Sequence, residues 1–223
     1  ISDSTARGIT YNYGHIEKAS AGTYNYGYID CLISSSRTLT YNYGKITDSQ
    51  NKITYNYGTI EKNNALVDTN YNIIENNIGT INRYSSDVTL NENSGTINTL
   101  SKGSVRKNTG KINDVDDKNV TIYNYAGGTV GKSDNAWGVR ACTVWNMGGI
   151  VQGYSSYADN VTVYNFEGGT VSNLRKGSVI YNLGGTVTDS STARVINCYK
   201  VNINSSFVET WNDKFIINPD TGE

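Results

Sequence analysis

The apolar positions of this 223-residue chain recur around one polar motif. Residues 10–16, 23–29, 40–46 and 54–60 all read T-Y-N-Y-G-x-I. Reduced to Asn-x-Gly-x-Ile/Val, the motif continues at Asn77, Asn93 and Asn108. From Asn124 onward, residues are inserted before a second glycine, as in Asn124-Tyr125-Ala126-Gly127-Gly128-Thr129-Val130 and Asn165-Phe166-Glu167-Gly168-Gly169-Thr170-Val171. Shorter insertions follow Asn146 and Asn182, and Asn197 marks a last, degraded copy. Asn12 and Asn197 are 185 residues and eleven steps apart, a mean period of roughly 17. That is too short for a pair of packed helices and suits two short strands joined by two turns.

Aligning the copies turns the sequence into columns. After the glycine stands an apolar column of Ile16, Ile29, Ile46, Ile60, Ile81, Ile97, Ile112, Val130, Ile150 or Val151, Val171 and Val187, which predicts a core. A second precedes the asparagine: Ile9, Leu39, Ile53, Ile74, Leu90, Val105 and Val179, replaced by the pairs Val120/Ile122 and Val161/Val163 in the wider copies. Ile9 and Ile16 differ in parity, so a straight strand would send them to opposite faces and the chain must bend between them. The residues in that interval are Asn and Gly, the two that most readily take left-handed angles at turns. A corner is therefore expected at Asn12, Asn25, Asn42, Asn56, Asn77, Asn93, Asn108, Asn124, Asn146, Asn165 and Asn182, with the stacked amides hydrogen-bonded up and down the axis as an asparagine ladder.

The expected fold is an all-β, single-stranded parallel β-helix, or β-solenoid, with short coils of about 17 residues. Coils stacked about 4.8 Å apart, roughly twelve of them, predict a rod near 55 Å long. Residues 1–204 form the repeat domain, the first eight being an N-terminal cap or incomplete coil. Residues 205–223, with Phe207, Trp211, Phe215 and Ile216 in place of the motif, are expected to close the open end of the stack.

Two tyrosine columns flank the asparagine. The one after it reads Tyr13, Tyr26, Tyr43, Tyr57, Ile78, Ser94, Thr109, Tyr125, Met147, Phe166 and Leu183, mostly apolar, and is expected to be at least half buried. The one before it reads Tyr11, Tyr24, Tyr41, Tyr55, Asn76, Glu92, Lys107, Tyr123, Trp145, Tyr164 and Tyr181. A column that accepts Glu92 and Lys107 is expected to be exposed, giving two aromatic stripes around a polar band. Stacked rings stabilise neighbouring strands; an exposed row of them also suits the apolar faces of sugars or another protein.

Composition narrows the classes. Tyrosine, threonine, isoleucine and valine are abundant, which supports strands over helices. A formal net charge of −1 with dispersed Lys and Arg predicts no nucleic-acid face. No run of about 18 apolar residues predicts a membrane span, and the chain start lacks the pattern of a signal peptide, which is expected to have been removed. The three cysteines, Cys31, Cys142 and Cys198, lie far apart and are expected as buried single thiols.

Catalytic chemistry finds little support. His15 is the only histidine and shares a column with Tyr28, Lys45 and Thr59, so it is expected at the surface, with no metal site, no cofactor and no Ser/His/Asp set. Glu17, Asp30, Asp48 and Glu61 follow the core isoleucine in successive coils and are the one carboxylate row that a lyase or glycosidase could use; Lys18 and Lys62 beside them suggest a charge-mixed edge instead. Asp116-Asp117 reads as a loop pair. The threonines Thr59, Thr80, Thr96, Thr129, Thr170 and Thr186 are interrupted by Lys45, Lys111 and Ile150, too irregular for a lattice-matched ice-binding face.

The repetition resembles the Asn/Gly-rich parallel β-helix repeats of secreted bacterial surface proteins and adhesins, over about 195 residues. The hexapeptide pattern of left-handed acyltransferase helices and the G-G-x-G-x-D of calcium-binding repeats are missing, and the coils are too short for a pectate-lyase-like helix. Asn218-Pro219-Asp220-Thr221-Gly222 is similar to a sortase sorting signal with Asn in place of Leu, or is a turn. The resemblance implies a secreted or cell-surface, non-enzymatic protein. Its partner would be a polysaccharide or a surface protein, held by Tyr11, Tyr24, Tyr41, Tyr55, Tyr123, Trp145, Tyr164 and Tyr181, and the rod ends would permit oligomerisation. A purely structural spacer is the second expectation and a polysaccharide lyase or glycoside hydrolase the third.

Overall fold

A computed structural model describes residues 8–33, 38–64, 74–85, 89–117, 119–131, 138–153 and 160–198. The cap expected at 205–223, the turn or sorting sequence at 218–222 and residues 1–7 lie outside the described residues.

The chain is a parallel β-solenoid built from two twelve-stranded sheets. One sheet begins with Ile9–Asn12 and ends with Arg194–Asn197; the other begins with His15–Ala19 and ends with Thr186–Thr188. Each coil contributes one strand to each, with the Asn-x-Gly motif as the turn between them, so every strand pairs with its equivalent one coil away: Tyr24 with Tyr41, Asn25 with Asn42, Ile29 with Ile46. Val139–Arg140 stands off this path and pairs with Lys111–Asp116.

The core is a slot between the sheets. Ile46, Ile60, Ile81, Ile97 and Ile112 face Leu39, Ile53, Ile74, Leu90 and Val105, all buried. Burial of each such side chain contributes about 1.5–3 kcal/mol. Where the sequence left Ile150 or Val151 open, Val151 is the buried one and Ile150 is exposed. A further buried column lies at the far end of the second sheet, through Ala19, Leu32, Tyr84, Leu100 and Val115.

The strands change character along the rod. In the early coils two consecutive residues point outward between inward ones, as in Thr38–Asn42 and Lys45–Ser49. In the later coils alternation is regular, as in Thr143–Met147. The register shifts at one place: Val105 pairs with Ile122 while Asn108 pairs with Asn124, so the later strands reach the asparagine with one residue fewer. This corrects the expected place of Val179 in the core column. Val179 pairs with Thr162 and is only partly buried, and Ile180, paired with Val163, fills the core.

The asparagine ladder is continuous. From Asn12 to Asn197, each side-chain Nδ2 donates to the Oδ1 of the asparagine one coil on, at 2.7 to 3.3 Å. The amides from Asn12 to Asn165 lie buried inside the slot, beside the corner, while Asn182 is partly buried and Asn197 exposed. Their backbone carbonyls are used as well: Asn93 O accepts from both Thr109 N and Gly110 N at 2.9 Å.

Left-handed geometry is not what the motif needs, contrary to the expectation for the corner. Neither the ladder asparagines nor the glycines of the first seven motifs have positive φ. The glycines are required by contact: a Cβ on Gly27, Gly44, Gly58, Gly79, Gly95 or Gly110 would lie 2.0–2.2 Å from the carbonyl oxygen of the previous coil's glycine. Positive φ enters only with the double-glycine turns, at Gly127, Gly148, Gly168 and Gly184. There a Cβ on the second glycine, such as Gly149 or Gly169, would strike a ladder amide.

The ladder and the glycine contact predict graded losses measurable by chemical denaturation. Asn93→Ala leaves the Asn77 donor and the Asn108 acceptor without their ladder partner inside the slot and should cost about 3 kcal/mol. Asn182→Ala, near the end of the ladder, should cost less than about 1 kcal/mol. Gly95→Ala should cost more than about 4 kcal/mol, whereas Gly14→Ala, with nothing within 4 Å of the added methyl, should be nearly neutral.

Candidate functional site

Because the ladder holds coils in register, every outward position becomes a row along the rod. The two tyrosine columns are the most extended of these. Tyr11, Tyr24, Tyr41 and Tyr55 stack with ring centroids 5.0–5.2 Å apart and planes within 10°. Tyr13, Tyr26, Tyr43 and Tyr57 stack alongside at 4.8–5.1 Å. The columns touch one another at 6.1–6.3 Å, so eight rings form a two-wide lattice.

The exposure of the columns corrects the expectation. The column after the asparagine is more than half buried at Tyr26, Tyr43 and Tyr57, which are 43%, 42% and 40% exposed, and only Tyr13, at 74%, departs from what was expected of it. The correction falls on the column before the asparagine, expected to be exposed: Tyr24, Tyr41, Tyr55, Trp145, Tyr164 and Tyr181 are partly buried, and Tyr11 and Tyr123 are its exposed rings. The cause is the turn. Tyr13 and its equivalents sit at the corner, where the surface is convex, while Tyr24 and its equivalents lie in the pleat between strand neighbours.

A second aromatic field lies farther along the same face. Trp145 stacks on Tyr164 at 4.3 Å and touches Tyr123 and Phe166, each at 6.1 Å; Tyr164 stacks on Tyr181 at 5.0 Å. The expected polar band separates the fields, with Asn76 and the Lys107–Glu92 ion pair at 2.8 Å in the same column. The eight residues of the predicted stripe thus fall into two groups of four on one sheet face.

The stacking defines what each ring can offer. Neighbours along the rod occupy the ring faces, leaving edges and phenol oxygens toward solvent. Packing pushes the Tyr26 and Tyr43 hydroxyls up from the ordinary phenol value, first by loss of solvent and then by repulsion from neighbouring tyrosines. Both therefore keep their protons near neutral pH and stay able to donate.

The second sheet disperses the acidic residues. Asp48 pairs in register with Cys31 and Lys62, one column away from Glu17, Asp30 and Glu61, and Thr47 takes its place there, so the expected row breaks after Glu17 and Asp30. Asp30 accepts from His15 Nε2 at 3.0 Å, and Glu61 accepts from Lys45 at 2.8 Å and from Asn82 at 2.5 Å. These bonds, Lys45 first, hold the Glu61 carboxyl below its usual range. His15 is at the surface beside Tyr28, as expected. Asp116 pairs with Arg140, and Asp117 caps the turn at Asn119 N. Among the described residues no cluster of three His, Cys, Asp or Glu is placed to hold a metal.

A second asparagine ladder, missed in the sequence, runs up the outside of this sheet. Asn82 donates to Glu61, Asn98 to Asn82 and Asn113 to Asn98, at 2.5–2.7 Å. Its signal was present as Ile81-Asn82, Ile97-Asn98 and Ile112-Asn113. It donates toward the start of the chain, whereas the inner ladder donates toward the end.

The three thiols are free, Cys142 alone being buried, while Cys31 and Cys198 are partly exposed. Burial pushes the Cys142 thiol up to about 12. Loss of solvent also raises Cys31 and Cys198. A raised value means less thiolate at a given pH, so alkylation of the native protein near pH 8 should modify Cys31 and Cys198 slowly and Cys142 not at all until unfolding, as read by peptide mass spectrometry.

Ring contacts predict a second contrast. Trp145→Ala removes three ring contacts and should cost about 2–3 kcal/mol, whereas Tyr13→Ala, at the most exposed ring of its column, should cost less than about 1 kcal/mol in thermal or denaturant unfolding.

Comparison of the chain with protein families, curated proteins and solved structures returns no match, and its functional reading rests on its own residues.

Proposed function

We propose that this solenoid is a non-enzymatic extracellular binding rod, displayed or secreted as adhesin-like surface proteins are, which engages a glycan or a surface protein along its aromatic face. The observation that carries the reading is the tyrosine lattice: eight phenols in register on one face, of which Tyr11, Tyr13, Tyr26, Tyr43 and Tyr57 are exposed, in strands where a solvent-facing position needs no aromatic ring. Exposed aromatic patches of this extent mark interaction sites more often than they occur on inert surfaces. Ring edges and neutral hydroxyls give such a face both apolar contact and hydrogen-bond donors.

The alternative is a structural spacer, favoured by the same face-to-face stacking, since a ring ladder ties neighbouring coils together. The two roles separate in one experiment. The purified chain and a Tyr26→Ser/Tyr43→Ser variant are screened on a glycan array and against a panel of extracellular proteins, with unfolding followed in parallel. Binding by the native chain that the variant loses, with the fold retained, supports the binding rod. Absence of binding on both panels, with a lowered unfolding temperature in the variant, assigns the rings to the spacer. Release of reducing ends or unsaturated products from the arrayed glycans would contradict the non-enzymatic reading.

A further inference from the structure

The two aromatic fields share a chemistry beyond their rings. In the first, Thr23, Thr40 and Thr54 stand beside Tyr24, Tyr41 and Tyr55; in the second, Thr121, Thr143 and Thr162 stand beside Tyr123, Trp145 and Tyr164. Over either field these columns hold hydroxyls and rings, with Val179 in the threonine column beside Tyr181, and no charge. In the central band Lys107 pairs with Glu92, and Arg106 beside them is an exposed cation outside both fields. Charge complementarity therefore selects a neutral, hydroxyl-rich partner over a polyanion.

Spacing selects further. Along the rod the ring centroids repeat at 4.8–5.2 Å. An extended peptide advances about 3.3 Å per residue and a polyproline helix about 3.1 Å, so neither keeps step with this row for more than a coil or two. The sugar-to-sugar step of an extended β-1,4-linked glycan is close to the coil rise, with alternate sugars turned over, so the hydroxyls on one side recur every second coil. Four coil steps separate Tyr55 from Tyr123, about 19 Å, and ten separate Tyr11 from Tyr181, about 48 Å.

We propose that the two fields form one split site for a single neutral, extended β-1,4-linked glycan strand lying along the rod axis, which crosses the Glu92–Lys107 band without being held there. The proposal rests on the binding reading above and names its ligand class and its geometry. Once one field is occupied, the strand presents itself to the other at high effective concentration, so a ligand long enough to reach both gains affinity without any new kind of contact.

The test uses β-1,4-linked glucan oligomers of about four sugars, the length of one field, and of about eleven, the length of the whole face, tethered by one end to a sensor surface. The native chain should bind the long oligomer about a hundredfold more tightly than the short one. Two variants remove hydroxyls while keeping the rings stacked: Tyr24→Phe/Tyr26→Phe/Tyr41→Phe/Tyr43→Phe in the first field and Tyr123→Phe/Tyr164→Phe/Tyr181→Phe in the second. Each should lose about a hundredfold on the long oligomer and fall to the affinity of a single field, with unchanged circular dichroism. A gain with length no greater than the added number of binding registers supplies, with independent effects of the two variants, overturns the split site and leaves the binding reading standing. Binding of neither oligomer, with glycans or proteins of other kinds bound instead, overturns the ligand assignment. Binding of nothing overturns both. Tighter binding of a polyuronate of equal length contradicts the neutral-ligand argument, and self-association in sedimentation that the first variant abolishes would assign the face to a second copy of the chain.

Discussion

A buried column of asparagine side chains is the constraint on which the rest of this rod depends. Each amide reaches the next at hydrogen-bond distance and also reaches backbone carbonyls around the turn, as Asn93 Nδ2 reaches Asn108 Oδ1 at 2.7 Å and Lys111 O at 3.3 Å. Such a group is costly inside an apolar slot unless its partner is in place. One missing amide orphans the two on either side, so each coil must present asparagine at the same point. Register follows from this. A strand slipped by one residue would point its amide outward and bury a tyrosine or a threonine.

The glycine contact acts with the ladder. With coils about 4.8 Å apart, the turn has no room for a Cβ against the carbonyl below it. Ladder and glycine together fix the corner and leave the return path free. The connection from second sheet to first runs from two residues between Ala19 and Gly22 to twelve between Val130 and Thr143, while the corner spacing Asn-x-Gly holds through seven coils. When the spacing changes at Asn124, the strand sheds its extra outward residue and the turn takes up two additional ones, one of them glycine. The inner amides keep their bonds across that change, at 2.8 Å from Asn108 to Asn124.

Register on the inside creates register on the outside. Tyrosines repeated in the motif have no choice but to stack, because their Cα atoms pair coil to coil. The lattice therefore needs no selection for binding in order to form, which is why ring stacking by itself does not separate a spacer from a binding rod. What stacking does decide is the kind of contact available. Ring faces are spent within the columns, so a partner meets edges and hydroxyls.

The solenoid, its core isoleucines and its ladder were legible in the sequence because each is a one-residue requirement repeated in every coil. Partial burial of the tyrosine column before the asparagine was not. Glu92 and Lys107 in that column read as exposure, yet Tyr24, Tyr41 and Tyr55 are partly buried between their strand neighbours. The carboxylate row misled in a different way, since Asp48 follows its isoleucine by two residues where Asp30 and Glu61 follow by one, which places it in another column. The glycine was read as a conformational device, and only the distance to the neighbouring coil reveals it as a steric one.

Hydrogen exchange of asparagine side-chain amides, followed by NMR, tests the central claim most directly. The inner Nδ2 protons of Asn93 and Asn108 should exchange as slowly as the backbone amides of the flanking strands, and far more slowly than those of Asn98 on the outer ladder. Exchange of the inner amides at the rate of the outer ones would contradict a fold organised around a buried asparagine column.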